Sequence, residues 1–262
     1  MGKVLAIANQ KGGVGKTTTT VNLAASLAAT KRKVLLIDLD PQGNATMGSG
    51  IDKSQLQNSV YELLTDRCNL VDALHRSEEG GYDLLPANAD LTAAEVELLE
   101  MKMKEHRLRH ALAGVRDSYD FILIDCPPSL NMLTVNALVA ADAVMIPMQC
   151  EYYALEGLSA LMNTIQRISS VFNPKLEIEG LLRTMYDPRN SLTRDVSEQL
   201  STHFGDRLYQ TVIPRNVRLA EAPSHGVPAL VYDKQSRGAV AYLALAGELV
   251  RRTRKAAAQA TT

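Results

Sequence analysis

A run of glycines, lysines and threonines near the start of the chain has the spacing of a phosphate-binding loop. Residues 9–18 read Asn-Gln-Lys-Gly-Gly-Val-Gly-Lys-Thr-Thr, after an apolar run at 4–8 and before a helical pattern at 16–30. A strand, a glycine loop and a helix in that order let backbone N–H groups surround an anion at the positive end of the helix. In such a loop Lys16 reaches the β- and γ-phosphates, and the Thr17 hydroxyl coordinates Mg²⁺. The segment therefore predicts a site for a nucleoside triphosphate and magnesium.

Two positions in this segment depart from the usual phosphate-loop pattern. Gln10 stands where the pattern has glycine, and Lys11 adds a second lysine five residues before Lys16. Together they give the string KGGVGKT, which matches the deviant loop of one branch of NTPases. The alternative is a glycine-rich turn that happens to contain lysine. That alternative leaves the preceding strand and the acidic ends of two later strands without an explanation.

Two predicted strands end in carboxylates that suit a magnesium–phosphate site. The first ends in Asp38 and Asp40, and the second, at 121–125, delivers Asp125 in a Walker B pattern. One acid of the first pair can orient the Mg²⁺ shell while the other faces a water in line with the γ-phosphate. Asp125 can hold Mg²⁺ directly or through water. An Asp turn before Pro41 and an ordinary strand end remain the structural alternatives.

The elements that must position these residues alternate between short apolar runs and longer helical patterns. Strands are predicted at 4–8, 34–38, 83–86, 121–125, 143–147, 179–185 and 211–213. Helices are predicted at 16–30, 92–114, 130–140, 154–171, 193–204 and 238–254, with short helices and loops over 48–80. This alternation predicts an α/β fold with a doubly wound, mainly parallel sheet flanked by helices, as in P-loop NTPases. We predict one ATPase domain at 1–255 and a flexible tail at 256–262.

The composition argues against secreted, disulfide-stabilised and membrane-spanning classes of protein. Hydrophobic residues make up 46% of the chain and charged residues 22%, as in an ordinary globular protein. No apolar stretch approaches the roughly 20 residues that span a bilayer. The three cysteines (Cys68, Cys126 and Cys150) lack the spacing of a disulfide or metal framework. The first residues show no secretory leader. We therefore expect a cytoplasmic protein.

The net charge of −1 hides an asymmetry between the two parts of the chain. Residues 1–180 carry 16 Lys and Arg against 22 Asp and Glu, whereas residues 181–262 carry 12 against 7. The basic third is where an anionic partner is expected. Its loops and helix ends hold scattered arginines without an aromatic platform, which favours phosphate contacts over base reading. A solvated surface explains these arginines equally well. The basic tail lacks the bulky apolar residues of a membrane-surface helix.

Five segments together resemble the ParA/Soj chromosome-partitioning ATPases. They are the loop at 9–18, IDLDPQGNAT at 37–46, ILIDCPPS at 122–129, QCEYYALEGL at 149–158 and IPRNVRLAEAPSHG at 213–226. The resemblance covers essentially residues 1–255. It implies an ATP-dependent homodimer in which two subunits close face to face around two ATP molecules with Mg²⁺.

The resemblance also implies roles for individual residues. Lys11 reaches across to the phosphates of the partner's nucleotide, Lys16 serves its own nucleotide, and Asp40 positions the attacking water. The residues implied at the nucleotide are Lys11, Gly12, Gly13, Val14, Gly15, Lys16, Thr17, Thr18, Met185, Pro214 and Asn216, and those implied at the metal are Thr17, Asp38 and Asp125. Arg189 and Arg218 match positions implicated in sequence-independent DNA binding.

The cycle implied by the resemblance makes the chain a nucleoid-associated switch. ATP closes the dimer, the dimer binds DNA, and a ParB-class centromere-binding partner accelerates hydrolysis. A MinD-type membrane-associated positioning ATPase shares the loop and is the alternative. An ATPase resembling the nitrogenase iron protein would need cysteines that bridge a cluster between subunits. Cys126 follows Asp125 directly, so a cluster there would collide with the nucleotide.

Overall fold

The computed structural model describes residues 2–152 and 154–259. Residue 1, residue 153 of the 149–158 segment and residues 260–262 of the predicted tail lie outside the described residues. The strands are β1 (Lys3–Ile7), β2 (Val34–Asp38), β3 (His75–Ser77), β4 (Tyr82–Leu85), β5 (Phe121–Asp125), β6 (Ala143–Gln149) and β7 (Glu177–Thr184).

These strands form a single sheet with the order β3-β4-β2-β5-β1-β6-β7. Among the described strands, β3 and β4 pair antiparallel, and every other neighbouring pair is parallel. The strand order reverses direction beside β1, which is the switch point where open α/β sheets bind ligands. The predicted doubly wound, mainly parallel α/β fold is confirmed.

Helices cover both faces of the sheet. They are α1 (Lys16–Ala29), α2 (Asn44–Gly48), α3 (Val60–Leu64), α4 (Leu70–Ala73), α5 (Leu91–Glu100), α6 (Arg107–Leu112), α7 (Met132–Ala140), α8 (Ala154–Val171), α9 (Ser191–Phe204), α10 (Val217–Glu221), α11 (Ala229–Tyr232) and α12 (Arg237–Gln259). Helices α1 and α12 bury apolar side chains on one face, and α5 to α9 do so on the other. The inner strands are therefore buried on both faces, which explains their continuous apolar sequence.

The predicted strand at 211–213 is wrong. Isolated bridges at Leu208 and Pro214 flank the segment, and Ile213 exchanges backbone hydrogen bonds with Arg183 and Tyr186, but no strand forms. The carboxylate of Glu248 on α12 accepts the backbone N–H groups of Gln210 and Thr211 at 2.9 Å each. A side chain from a helix thus satisfies donors that a ladder would have used.

The predicted helix at 92–114 is interrupted between α5 and α6. Met103 lies there in the left-handed region with a φ of 53°. Buried Asn136 of α7 bridges the gap, because its side chain donates to the Lys104 carbonyl at 2.7 Å and accepts from the Leu108 N–H at 3.1 Å. The 48–80 segment contains short helices as predicted, and it also supplies β3. At the other end of the chain, α12 remains helical to Gln259, beyond the boundary predicted at 255.

Candidate functional site

Parallel strands bring the predicted acids to one edge of the sheet. Asp38 ends β2 and Asp125 ends β5, and the two residues are paired in register. Ile7, the last residue of β1, pairs with Asp125 on its other side, so the glycine loop starts beside both carboxylates. We call Lys16, Thr17, Asp38 and Asp125 the strand-end pocket. This arrangement follows from register alone, because the carboxyl ends of parallel strands meet at one edge.

The glycine loop ends at the N-terminus of α1, as an anion site requires. Gly15 is the N-cap residue and has a φ of 84°, a conformation that side chains disfavour. A Cβ added at Gly12 or Gly13 would meet no described atom within 4 Å, so the front of the loop is open. Behind the loop, the Thr184 hydroxyl at the end of β7 donates to the Val14 carbonyl at 2.8 Å. The loop is therefore held from behind and accessible from the front.

Lys16 is a buried cation inside this loop. Only 7% of its surface is exposed. Its Nζ donates to the carbonyl of Lys11 at 3.2 Å, so the ammonium bends back over its own loop. Burial lowers the pKa of Lys16, and the nearby Asp125 carboxylate opposes this effect. A desolvated ammonium interacts strongly with an anion that enters the loop, because little water screens the two charges.

Two threonines of α1 hold the Asp125 carboxylate. The Thr17 hydroxyl donates to Oδ2 at 2.7 Å, and the Thr20 hydroxyl donates to Oδ1 at 3.0 Å. Residues three apart on a helix lie on the same face, which is why both reach the same side chain. The predicted metal residues Thr17 and Asp125 are therefore in direct contact. Thr20 was not among the predicted site residues.

Asp38 is bonded mainly to the turn that follows β2. Its Oδ2 accepts both the backbone N–H and the hydroxyl of Thr46, each at 2.8 Å. Its Oδ1 accepts the N–H of Asp40 at 3.1 Å. The Asp40 carboxylate in turn accepts the Gln42 N–H at 3.0 Å. Asp40 thus lies in a tight turn that Asp38 organises, and the metal role of Asp38 stays a prediction.

The pair Asp38 and Asp125 carries electrostatic repulsion. Both carboxyl groups are fully buried. Burial raises the pKa of Asp125 to about 8, and the neighbouring Asp38 adds to that rise. Burial also raises the pKa of Asp38 to about 6, although the Thr46 hydrogen bonds oppose the rise. Two buried acids in adjacent register favour a shared proton or a bound cation.

Lys11 lies at the outer rim of the loop and forms an ion pair with Glu151. Its Nζ is 2.6 Å from Glu151 Oε2, and the two side chains are 47% and 45% exposed. Its backbone N–H donates to the Asn9 side chain at 3.0 Å, and Asn9 is tied to the Pro147 carbonyl of β6 at 2.8 Å. Glu151 belongs to the 149–158 segment, whose function the residues alone left open. The structure identifies it as the counter-ion of Lys11.

A cavity of about 200 Å³ adjoins the loop on the side of β7 and α12. Its lining includes the predicted nucleotide residues Gly15, Thr18, Met185, Pro214 and Asn216. Met185 has a φ of 48°, an uncommon conformation for a side-chain-bearing residue that often marks a functional site. The Asn216 Oδ1 is buried and accepts no hydrogen bond from the described residues. The cavity therefore offers a mainly apolar wall, and the unsatisfied Asn216 Oδ1 lies beside it, next to Gly238.

The two predicted DNA-binding arginines lie in neighbouring segments, Arg189 in the loop before α9 and Arg218 in the first turn of α10. Tyr186 and Pro214 form a β-bridge, which sets the segments 186–190 and 214–218 side by side. We call these segments the arginine loops. Arg189 is 87% exposed and pairs with Asp187 at 2.7 Å, and Arg218 pairs with Glu221 at 2.7 Å. Arg189 lowers the pKa of Asp187 to about 2. Both arginines are accessible, but local carboxylates hold both.

The described residues show no disulfide, no metal-binding cluster of side chains and no membrane-spanning helix. Cys126 and Cys150 are buried and Cys68 is partly buried, and none forms a disulfide. Burial raises the pKa of the Cys126 thiol well above its usual range. Residues 2–152 and 154–259 contain no group of three or more His, Cys, Asp or Glu side chains that could bind a metal ion. Over the same residues, no helix is both long enough and apolar enough to span a membrane.

Comparison with known families and proteins places the chain among P-loop ATPases. A family described as an AAA domain (AAA_31) matches residues 2–178. The chromosome partitioning protein ParA of Caulobacter vibrioides is 53% identical over 98% of this chain and 97% of its own length. The sporulation initiation inhibitor protein Soj of Bacillus subtilis is 53% identical over 95% of this chain and 98% of its own.

Solved structures have the same fold. Cobyrinic acid a,c-diamide synthase from Mycobacterium smegmatis, with bound ADP and magnesium, superposes with a TM-score of 0.85 at 40% identity, covering 97% of this chain and 96% of that one. The cell division ATPase MinD from Pyrococcus furiosus superposes with a TM-score of 0.76 at 26% identity, covering 96% of this chain and 99% of that one.

Proposed function

This chain belongs to the ParA/Soj family of chromosome-partitioning ATPases, and we propose on that premise that it segregates DNA through a cycle of ATP binding and hydrolysis. The observation that carries the proposal is the strand-end pocket. A glycine loop at a helix N-terminus, a buried lysine and two strand-end carboxylates converge at the switch point of the sheet. The family resemblance inferred from the five segments is confirmed.

The cofactors are ATP and Mg²⁺. The open front of Gly12 and Gly13 leaves room for phosphates in the loop. Thr17 and Asp125 supply the hard oxygen ligands that Mg²⁺ prefers, and their contact brings both to the foot of the loop. In the neighbouring cavity, a turn of the Asn216 side chain would let its amide form a hydrogen bond with the edge of adenine, and Pro214 can pack on the flat face of the base.

The residues of the chain divide the work of hydrolysis. Lys16 releases its loop carbonyl and binds the β- and γ-phosphates, where its desolvated charge stabilises negative charge on the transferring group. Mg²⁺ held by Thr17 and Asp125 would supply positive charge that offsets the negative charge of the phosphates. Asp40 orients the attacking water, and Thr20 keeps Asp125 oriented. All these groups lie at one edge of the sheet, so no large movement within the subunit is required.

Lys11 links nucleotide binding to dimerisation in this proposal. At the rim of the loop it is half exposed, and a single ion pair holds its ammonium. Exposed ion pairs contribute about 1 kcal/mol or less, so the phosphates of a partner subunit's nucleotide can outcompete Glu151. When two subunits close face to face, Lys11 then reaches across the interface. Because the stabilising groups are complete only in the dimer, turnover by the isolated chain is slow.

The arginine loops are the proposed DNA surface. DNA phosphates replace Asp187 and Glu221 as partners of Arg189 and Arg218, without base-specific contacts. The loop 214–218 also contributes Pro214 and Asn216 to the nucleotide cavity, so the same segment contacts both ligands. DNA binding is therefore coupled to ATP binding, and a ParB-class partner ends the cycle by accelerating hydrolysis. In the cell the protein is cytoplasmic and associated with the nucleoid.

Two neighbouring functions have weaker support. MinD is 26% identical in sequence to this chain and the cobyrinic acid a,c-diamide synthase is 40% identical, whereas ParA and Soj are each 53% identical. A membrane-associated cycle would also need an apolar surface helix. The basic end of α12 carries exposed alanines where such a helix needs bulky apolar side chains.

The proposal is tested by measuring ATP hydrolysis with duplex DNA alone, with a ParB-class partner alone, and with both. We expect both together to raise the rate by more than the sum of their separate effects. Lys11→Ala should still bind ATP through Lys16 and should lose this synergy. Lys175→Ala is the matched control, because Lys175 is exposed just before β7, at the opposite edge of the sheet. Additive rates in the unaltered protein would contradict the partition cycle.

A further inference from the structure

Thr46 of α2 makes three hydrogen bonds around the turn that carries Asp40. Its backbone N–H and its hydroxyl both donate to Asp38 Oδ2 at 2.8 Å. The same hydroxyl accepts the N–H of Ala87 at 2.9 Å. Because a backbone N–H can only donate, the hydroxyl hydrogen must point at Asp38. The Thr46 hydroxyl therefore has one defined orientation, toward the carboxylate.

Asp38 transmits this constraint to the turn. Its second oxygen accepts the N–H of Asp40 at 3.1 Å. Asp40 then closes the turn, because its carboxylate accepts the Gln42 N–H at 3.0 Å and its carbonyl accepts the Gly43 N–H at 2.8 Å. A continuous chain of hydrogen bonds thus runs from Thr46 through Asp38 to Asp40.

The backbone of Ala87 braces the same turn from the side of β4. A Cβ added at Gly43 would lie 2.7 Å from the Ala87 carbonyl oxygen, and Gly43 has a φ of 62°. The peptide groups of Ala87 therefore contact the turn at Gly43 and at Thr46. With Asp38 on one side and Ala87 on the other, the backbone between 40 and 46 has little freedom.

Packing alone does not explain a threonine at this position. Thr46 is fully buried, and valine has nearly the same shape without a hydroxyl. A buried hydroxyl is costly unless it is hydrogen-bonded, and a buried carboxylate needs donors. The hydroxyl satisfies the carboxylate, and the carboxylate satisfies the N–H of Asp40. The Thr46 hydroxyl therefore fixes the turn through hydrogen bonds, whereas a valine would fill the same space without holding Asp38.

We propose that Thr46 is a positioning residue of the ATPase site, which holds Asp38 and through it fixes the turn that presents Asp40 to the attacking water. The inference rests on the proposed function, because it assumes that Asp40 acts in ATP hydrolysis. Thr46 acts through other residues, since it is fully buried and its N–H and hydroxyl are bonded to Asp38 and Ala87. Its effect is on the rate of the chemical step and not on ATP binding.

The test compares three variants in one assay of kcat, KM for ATP and melting temperature, with saturating Mg²⁺ and non-specific duplex DNA. Thr46→Val removes the hydroxyl, and Thr46→Ser restores it. Ser49→Ala is the matched control, because Ser49 is a buried hydroxyl at the end of the same helix, bonded to Tyr82 at 2.7 Å and not to Asp38. We expect Thr46→Val to lower kcat about tenfold with KM changed less than about twofold, since misplaced groups act on the transition state.

Thr46→Ser should recover kcat to within about twofold of the unaltered chain. Ser49→Ala should lower the melting temperature and leave kcat unchanged. The role of Thr46 is overturned if Thr46→Val keeps the full kcat, if Thr46→Ser fails to restore it, or if Ser49→Ala loses kcat to the same extent. An unaltered chain that does not hydrolyse ATP even when a ParB-class partner is added to the assay overturns the proposed function, and with it this inference. An active chain with a fully active Thr46→Val overturns only the inference.

Discussion

The strand-end pocket and the arginine loops carry their charges in opposite ways. In the pocket, Lys16 and Asp125 are buried; the Lys11 carbonyl holds the ammonium, and the hydroxyls of Thr17 and Thr20 hold the carboxylate. In the arginine loops, Arg189 and Arg218 lie at the surface; Asp187 holds Arg189, and Glu221 and Asp233 hold Arg218. Buried charges interact strongly and are fixed in place, whereas exposed pairs are weak and exchange partners readily. The pocket is therefore suited to chemistry and the loops to reversible binding.

The largest expected effect separates the buried cation from exposed ones. Lys16→Ala should lower kcat/KM for ATP hydrolysis by at least about 100-fold, because the desolvated ammonium stabilises developing charge on the phosphates. Lys175→Ala, which removes an exposed lysine, should leave kcat/KM unchanged. The measurement is steady-state hydrolysis with Mg²⁺ and DNA. If Lys16→Ala lowered kcat/KM by less than about tenfold, the buried lysine would not differ from exposed ones in the way proposed.

The second effect concerns the loss of folding stability that results from burying the Asp125 carboxylate in the pocket. Because the folded-state pKa of Asp125 is raised to about 8, the folded chain binds its proton more tightly than the unfolded chain does. Stability therefore falls as pH rises from about 4 to about 8, and Asp125→Asn should relieve this loss by about 2 kcal/mol at pH 8. Near pH 4 the gain should be small, because the carboxyl group is protonated in the folded state and only about half ionised in the unfolded state.

Urea denaturation of the nucleotide-free protein at pH 4, 6 and 8 measures this gain. Asp142→Asn is the contrasting control, since Asp142 is bonded to the Val4 N–H and to Arg116 at the opposite edge of the sheet. It should destabilise the chain, whereas Asp125→Asn should stabilise it and abolish Mg²⁺-dependent hydrolysis. Equal destabilisation in both variants would mean that repulsion between Asp38 and Asp125 does not lower the stability of the folded chain.

The third effect tests the arginine loops. Arg218→Glu should weaken ATP-dependent binding of non-specific duplex DNA about tenfold at low salt, since charge reversal removes one phosphate contact and adds repulsion. The salt dependence of binding should also become shallower. Arg167→Glu, on the exposed side of α8, provides the control. Fluorescence anisotropy over a KCl series gives both quantities, and an equal loss in the control would argue against a defined DNA surface.

The smallest expected effect is at Lys11, which belongs to the phosphate loop but is exposed like the arginines of the arginine loops. Its ion pair with Glu151 is half exposed. Glu151→Gln should free Lys11 and tighten the ATP-dependent dimer by no more than about fivefold, the size expected for an exposed ion pair. Sedimentation velocity with a slowly hydrolysed ATP analogue measures the shift. A much larger change would mean that Glu151 does more than hold Lys11.

The sequence predicted those parts of the molecule that depend on local pattern. The glycine loop, the apolar strands and the strand-end acids follow from spacing and periodicity, and register then brings Asp38 and Asp125 together. Long-range hydrogen bonds were not predictable in this way. Glu248 binds the backbone N–H of Thr211 in the predicted strand at 211–213, and Asn136 binds the backbone N–H of Leu108 at the break in a helical pattern, 28 residues away in sequence. Such partners depend on tertiary placement, which no local window contains.

The same limit applies within the site. Thr20 follows Thr17 by one helical turn, so helical spacing offered a signal that both hydroxyls face one carboxylate. Thr46 gave no such signal, because its contact with Asp38 depends on the path of the intervening turn. Glu151 lies 140 residues from Lys11, and only the folded sheet brings the two together.

The close approach of Gly43 to Ala87 has a consequence for how this sequence can vary. Ala87 contacts the turn through its own backbone N–H and carbonyl, so both contacts survive any change of side chain at 87 that the core can pack. At position 43 even one added carbon would collide with a carbonyl, and the positive φ adds strain. Substitutions at these two touching positions should therefore be tolerated very differently, which a saturation library selected for chromosome segregation would reveal.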